Sequence, residues 1–561
     1  MRTPFTLLIL LFFAPATQAA DGMVVTVSPP ATDVGVDILQ AGGNAVDASV
    51  AVGFALAVTW PEAGNIGGGG FMLIHRGGKE KPAFIDYRET APAAATRDMF
   101  AKGVDYQSAK TAGVPGAVRG YGLAHKLYGK LPWKDLVWPA VKLAEEGFPV
   151  NAALAGRLNG VLADPKTTNA EFLRIFGKKD RWKAGDVLKQ PDLGRTLRLI
   201  AEKGPDTFYS GVLADKIVAE MKASGGLVTL ADLKGYKAEN RTPLRGTYRG
   251  YEVIGAPPPS SGGTALITAL NILELYDLKK NPWRSAETTH LVAEAMRRAF
   301  ADRALYLGDP DFTKVPENLL TKDHAKELAK TIDPAKATQS ELLAPEIDIA
   351  PDKKETTHFS IVDGDGMAVA NTTTLENSFG CRVVVRGAGF LLNNELTDFN
   401  PKPGVTTRTG PIGTDANLVA PGKRPLSSMT PTILLRDGKL ALVTGSPGGR
   451  TIINTVLCVV LNFVDYGHGI QAAVDAPRMH HQWFPDRIAL EDFPGRAQLD
   501  EKLQALGHTV VTHPQGDAHS IAVDPKTGKL VGAADKRLDG KAKGLTALPA
   551  NRTEQFFKSK P

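Results

Sequence analysis

The apolar residues of this chain change their period at one place, and that change limits the folds open to it. Up to about Asp333 the pattern is mainly helical, with many Gly and Pro breaks, whereas from Thr356 onward short runs alternate. A period of 3.6 buries a helix stripe and a period of 2 buries one face of a sheet, so both kinds of layer are required. In "DVGVDILQAGGNAVDASVAVGFALAVTW" one helix is predicted to stop near Gly42-Gly43. A second, almost wholly apolar helix follows it and must lie deep in a core. "SAETTHLVAEAMRRAFADRALYLGD" predicts another helix with Ser285 as N-cap, and "PPPSSGGTALITALNILELY" a further one. "GFMLIHR" and "YEVIGA" are short strand candidates between them. After Thr356, "THFSIVD" and "MAVANTTT" are β-rich runs joined by Gly364-Asp365-Gly366, a hairpin signal. "GFLLNNEL", "PTILLRDGKLALVTG" and "HSIAVDPKTGKLVGAAD" predict more strands, and "RTIINTVLCVVLNFVDYG" a buried helix. The expected class is α+β, with helices covering a mainly antiparallel sandwich of sheets.

The two textures meet in "KATQSELLAPEIDIAPDKKE", a polar, proline-containing stretch that reads as an exposed connection. At the other end, "MRTPFTLLILLFFAPATQAADG" has Arg2, an apolar run from Phe5 to Phe13 and small residues up to Ala19-Ala20. That is the layout of a secretory signal peptide over residues 1–20, which predicts a periplasmic or secreted protein. No later run reaches the ~18 apolar residues of a transmembrane helix. The net charge of +6 over 561 residues, without a dense Lys/Arg block, argues against a nucleic-acid partner. Cys381 and Cys458 permit one disulfide by arithmetic, and two lone buried thiols are the simpler state. His480 and His481 would point to opposite faces of a strand, lack an HExxH pattern and read as structural. Neither a metal nor a cofactor is called for.

A threonine hydroxyl is a poor nucleophile without a base beside it. A threonine at a free N-terminus carries its own base, an α-amine with a pKa near ~8. Thr356 opens a strand directly after the exposed connection, so cutting Glu355–Thr356 would create that arrangement. Taken alone, "ETT" is also an ordinary strand start. "TGSPGGRTI" places Gly448-Gly449 in a turn ahead of the buried helix, where backbone N–H groups can face a developing oxyanion. It has neither the GK[ST] of a phosphate loop nor the GxSxG of a serine hydrolase. "KRPLSSMTPT" offers the adjacent hydroxyls of Ser427 and Ser428, which turn chemistry alone would also explain.

Together, "DYRETAP", "PEAGNIGGGGFM", "TTHFSIVD", "NNELTDF", "KRPLSSMTPT", "TGSPGG" and "APRMHHQW" resemble the γ-glutamyltransferase (γ-glutamyl transpeptidase) family in order and spacing. That family consists of N-terminal-nucleophile hydrolases with a four-layer αββα sandwich. The resemblance implies a zymogen that cuts itself into a large subunit, 21–355, and a small one, 356–561, intertwined in one domain. It implies Thr356 as nucleophile, Thr374 as its hydrogen-bond partner, and Gly448 and Gly449 as the oxyanion hole. It also implies that Arg88, Ser427 and Ser428 hold the substrate α-carboxylate, and that Glu395 and Asp398 hold its α-amine. The implied substrates are glutathione and other γ-glutamyl compounds, with water, amino acids or dipeptides as acceptors.

The shape of a γ-glutamyl group agrees with this set. It carries a carboxylate and an ammonium at one end and a scissile amide at the other, and a guanidinium fork suits the carboxylate. Two departures from better-known members stand out. Glu376 replaces an Asn, and Glu395 a Gln found in some members, giving an acidic trio with Asp398 that would repel itself in an empty site. In the stretch "KPGVTTRTGPIGTDAN", which resembles the lid loop, Thr409 stands where several bacterial members have an aromatic residue, which predicts a more open pocket. The alternative is a related acylase acting on glutaryl-type side chains, for which the acidic trio would have no amine to hold. A non-catalytic binding protein would have no need of Thr356 and Arg88.

Overall fold

A computed structural model describes residues 20–78, 80–343, 356–405 and 414–545. The predicted signal peptide, except Ala20, lies outside the described residues, as do Glu355 and Thr409. The centre is a pair of antiparallel sheets. The first has seven strands in the order Lys541–Gly544, Met23–Thr26, Thr357–Val362, Ala368–Thr374, Gly69–His75, Ala83–Asp86, Glu239–Arg241. The second has six, in the order Leu530–Ala534, His519–Val523, Lys439–Thr444, Thr432–Arg436, Tyr251–Gly255, Leu244–Tyr248. Both sheets mix strands from before and after Thr356, so the change of period in the sequence is not a boundary between layers.

Alternation along the strands sorts side chains into separate cores. Met23, Val25, Phe71, Leu73 and Ala370 face inward and meet Ile254, Ile433, Val443 and Ile521 of the second sheet. The intervening Val24, Met72, Ile74, Ile361 and Val369 face outward, under the helices Pro29–Gln40, Ala45–Thr59 and Ala117–Tyr128. Val253, Leu434, Leu442 and Ala522 of the second sheet pack against Gly262–Leu273, Ala286–Tyr306 and Thr451–Val464. The result is the four-layer αββα sandwich. The apolar helix is buried along its whole length and begins with a capping box between Asn44 and Asp47. Each fully buried Val, Leu or Phe on it contributes about 1.5–3 kcal/mol. Ser285 caps Ala286–Tyr306 by accepting from the Thr288 N–H.

The strand expected in "GFLLNNEL" does not form; among the described residues Leu391 makes only an isolated bridge to Val384. Gly387 and Gly389 turn the chain through left-handed backbone, at φ 68° and 79°. Asn393 then uses its whole amide locally. It accepts from Gly113 N–H at 2.8 Å and Glu395 N–H at 3.0 Å, and donates to the Gly67 and Gly113 carbonyls. Cys381 and Cys458 are both free and buried, and burial pushes their thiols up to about 12 and about 11. No helix among the described residues is long and apolar enough to cross a membrane.

Candidate active site

Thr356 is 8% exposed and leads directly into Thr357–Val362. That strand pairs with Ala368–Thr374 in a register that sets Thr357 opposite Thr373. The Thr374 hydroxyl accepts from Glu376 N–H at 2.8 Å, and its carbonyl accepts from Asn65 Nδ2 at 2.8 Å. The glycines of "GNIGGGGF" allow this close approach. A Cβ on Gly68 would sit 2.2 Å from the Thr374 carbonyl oxygen, and one on Gly70 would sit 2.3 Å from that of Thr372.

Glu376 follows with φ 79°, an uncommon backbone state for a non-glycine residue that aims it into the site. One carboxylate oxygen from each of Glu376, Glu395 and Asp398 lies within 4.8 Å of the other two. The expected self-repulsion is answered by Arg88, whose guanidinium forks to Glu395 through Nη1 and to Asp398 through Nη2. A buried cation and buried carboxylates each need such compensation to be tolerated. Arg88 Nε donates to the Pro425 carbonyl at 3.1 Å, and Tyr236 Oη donates to the Arg88 carbonyl at 2.8 Å. Glu89, fully buried on the other side of Arg88, is 3.9 Å from Nη1. Burial, then the charge of Glu395, raises the Glu89 carboxyl well above the usual range.

Ser427 and Ser428 sit at the same cradle with hydroxyl protons left to donate. Ser427 Oγ accepts from Met429 N–H at 3.1 Å, and Ser428 Oγ accepts from Arg303 Nη2 at 3.0 Å. Gly448 and Gly449 turn at φ 126° and 58°, and their carbonyls receive Thr451 and Ile452 N–H at the start of Thr451–Val464. Their own N–H groups donate to no acceptor among the described residues. Gly448 lines a cavity of about 600 Å³ together with Thr356. Arg450 lines both this cavity and a gap of about 20 Å³ beside Asp398 and Arg303. It stands between Thr356 and the charged cradle.

Arg303, Arg450 and Glu89 were not singled out by sequence. Arg303, in the last turn of a helix, reads as a group that complements the helix dipole. Arg450 offered a signal only through its neighbour Gly449. The histidines separate. His481 is buried, accepts from Trp483 N–H at 3.2 Å and is structural, whereas His480 lines the Thr356 cavity. Besides the acidic trio, His290, Glu294 and His508 have cation-ligating proximity. In both clusters arginine already supplies the positive charge: Arg88 in the first, and Arg297 and Arg298 against Glu294 in the second.

Comparison with known proteins places this geometry in a family. A family model described as Gamma-glutamyltranspeptidase matches residues 31–545. The chain is 49% identical over 533 residues to the "Glutathione hydrolase proenzyme" of Escherichia coli (strain K12), covering 93% of this chain and 91% of that protein. It is 38% identical over 544 residues to the "Acylase ACY 1 proenzyme" of Pseudomonas sp. (strain V22), covering 94% of each. Among solved structures, a cephalosporin acylase from Bacillus halodurans superposes with a TM-score of 0.83 at 30% identity, over 97% of this chain and 100% of that one. The chain belongs to the gamma-glutamyltranspeptidase family.

Proposed function

We propose that the chain is an exported zymogen that cuts its own Glu355–Thr356 bond and then acts as a γ-glutamyl hydrolase and transferase on glutathione and related compounds. The observation that carries this reading is the cradle of Arg88 among Glu376, Glu395 and Asp398, tied by the Glu376–Thr374 hydrogen bond to the strand that pairs with the one Thr356 leads into. It is the charge complement of an α-amino acid head. The carboxylate meets Arg88, Ser427 and Ser428, and the ammonium meets the acidic trio. The γ-carbonyl then extends toward Thr356.

In self-cleavage Thr356 Oγ attacks the Glu355 carbonyl, the acyl group moves from nitrogen to oxygen, and water releases the Glu355 carboxylate. The freed α-amine is thereafter the base. It takes the Oγ proton as Oγ bonds to the γ-carbon, and gives it to the departing amine. Gly448 and Gly449 N–H groups stabilise the oxyanion of each tetrahedral intermediate. Water or an acceptor amine resolves the γ-glutamyl ester.

The acylase relatives keep a second reading open, removal of glutaryl-type groups. A glutaryl group has no ammonium and leaves the acidic trio without its ligand. The test compares γ-glutamyl and glutaryl p-nitroanilides, with and without glycylglycine. Preference for γ-glutamyl by a factor of about a hundred or more is expected from the lost ion pair. Preference for glutaryl would establish the acylase.

A further inference from the structure

The serine end of the cradle is held from behind by a second arginine. Ser260, just before the helix Gly262–Leu273, makes a parallel bridge with Ser427. Ser427 N–H donates to the Pro259 carbonyl at 2.9 Å, and the Ser427 carbonyl receives Ser261 N–H at 2.8 Å and Ser261 Oγ at 2.6 Å. Gly262 permits this close approach, because a Cβ there would stand 2.5 Å from the Met429 carbonyl oxygen. Arg303 closes the arrangement. From the last turn of Ala286–Tyr306, its Nε donates to Ser261 Oγ at 2.8 Å and its Nη2 to Ser428 Oγ at 3.0 Å. Arg303, Ser261 and Ser428 are all buried.

This network decides where the hydroxyl protons go. A guanidinium has only donors, so each hydroxyl it touches accepts from it and must turn its own proton elsewhere. Ser261 gives its proton to the Ser427 carbonyl. Ser428 gives its proton to no acceptor among the described residues and keeps it for a ligand. A hydroxyl polarised by a charged donor is itself a stronger donor, the more so where water is excluded. Arg303 also borders the gap of about 20 Å³ that Asp398 lines, and Asp398 is the carboxylate that Arg88 holds through Nη2. A group that merely complemented the helix dipole would need neither serine.

We propose that Arg303 is a positioning residue for the α-carboxylate of the donor substrate. It fixes the Ser428 hydroxyl with its proton turned toward the ligand, braces the Ser427 loop through Ser261, and brings a second positive charge to that end of the cradle. The inference rests on the γ-glutamyl reading above and adds a residue that acts through the serines without touching the substrate. Arg88 is the fork that meets the carboxylate, and Arg303 is what makes the serines meet it from the other side.

The test is steady-state kinetics of the mature enzyme with γ-glutamyl-p-nitroanilide, on Arg303→Gln, Ser428→Ala and the double variant. Arg303→Gln should raise the donor KM about tenfold while kcat stays within about threefold, because the lost contact is made to the end of the substrate that does not react. Adding Ser428→Ala should raise KM by no more than about a further twofold, since the arginine acts through that hydroxyl. Arg303→Lys keeps the charge without the fork and should raise KM about threefold, less than the Gln variant. If Arg303→Gln fails to fold or to cut itself, Arg303→Lys with and without Ser428→Ala reads the same coupling. A KM that does not move in either Arg303 variant, or effects of Arg303 and Ser428 that simply multiply, would overturn the proposal and leave Arg303 a brace of the fold. A fall in kcat at constant KM would overturn it too. If the wild type releases no p-nitroaniline from the γ-glutamyl anilide, the underlying reading falls, and the proposal with it.

Discussion

The two sides of Thr356 differ in the buried charge they carry. On the cradle side Arg88 is matched to Glu395 and Asp398, and burial raises the Glu89 carboxyl, which favours its uncharged form. On the cavity side His480, Gln515 and Asp517 keep acceptor atoms without donors. On the cradle side the α-carboxylate of a zwitterion must displace Glu395 or Asp398 from Arg88, and its ammonium can take up the carboxylate so released. Such a site rejects molecules that lack either charge, because a lost partner leaves a buried charge exposed to nothing. The cavity wall that carries His480, Gln515 and Asp517 leaves its acceptors to any donor that fits.

The proposed nucleophile, Thr356, borders both sides, so its loss should have the largest effect. Thr356→Ala should give one uncut chain on denaturing gels and no measurable turnover; normal cleavage in that variant would move the nucleophile elsewhere. Arg88→Ala breaks the cradle alone. It should lower kcat/KM for γ-glutamyl anilide about a thousandfold, with a far smaller effect on a glutaryl anilide. Equal losses on both would undo the carboxylate assignment.

Much of the cradle and little of the wall was legible in the sequence, and the reason is physical. Thr356, Thr374 and the Gly364-Asp365-Gly366 hairpin are local signals, because pairing of adjacent strands is fixed by a short turn. Arg88, Glu395 and Asp398 stood out only through motif resemblance; their meeting across more than 300 residues depends on the sandwich. Gln515 and Asp517 left no trace, because a missing hydrogen-bond donor is a property of packing and not of residue type. "GFLLNNEL" misled because apolar content argued for a strand, while the left-handed glycines and Asn393 decided otherwise. The sheets also draw strands from both halves of the chain, which no local periodicity can reveal.

Acid should weaken the protein through histidines held neutral by burial. His481 titrates at about 4 when folded and near ~6.5 when unfolded, so only the unfolded chain gains its proton between these values. Stability present above pH ~6.5 is therefore lost as pH falls toward 4, on the order of 3 kcal/mol from this group. Denaturant midpoints measured from pH 7 to pH 4 should fall, and less steeply in His481→Asn; parallel slopes would refute it. Gly448→Ala acts on the junction of the two sides. A Cβ there would lie 2.5 Å from Thr451 Oγ1, at a φ of 126° that alanine resists. It should lower kcat about a hundredfold with little change in KM, the signature of a lost oxyanion donor.

The smallest expected effect is the sharpest test of how the cradle keeps its charge balanced. Glu395 and Glu89 flank the same guanidinium, both fully buried. Glu395 shares the ion pair, so Glu395→Gln removes a charge that holds Arg88 and the substrate ammonium. The donor KM should rise about tenfold. Burial and its acidic neighbour outweigh the attraction of Arg88 on Glu89 and favour its neutral form. Glu89→Gln replaces one uncharged group by another of nearly equal shape, and the donor KM should change by less than about threefold. If Glu89→Gln costs as much as Glu395→Gln, then Glu89 is ionised in the working enzyme. Arg88 would then face Glu89 as well as Glu395 and Asp398, and the excess of negative charge that the acidic trio already brings to the cradle would grow by one.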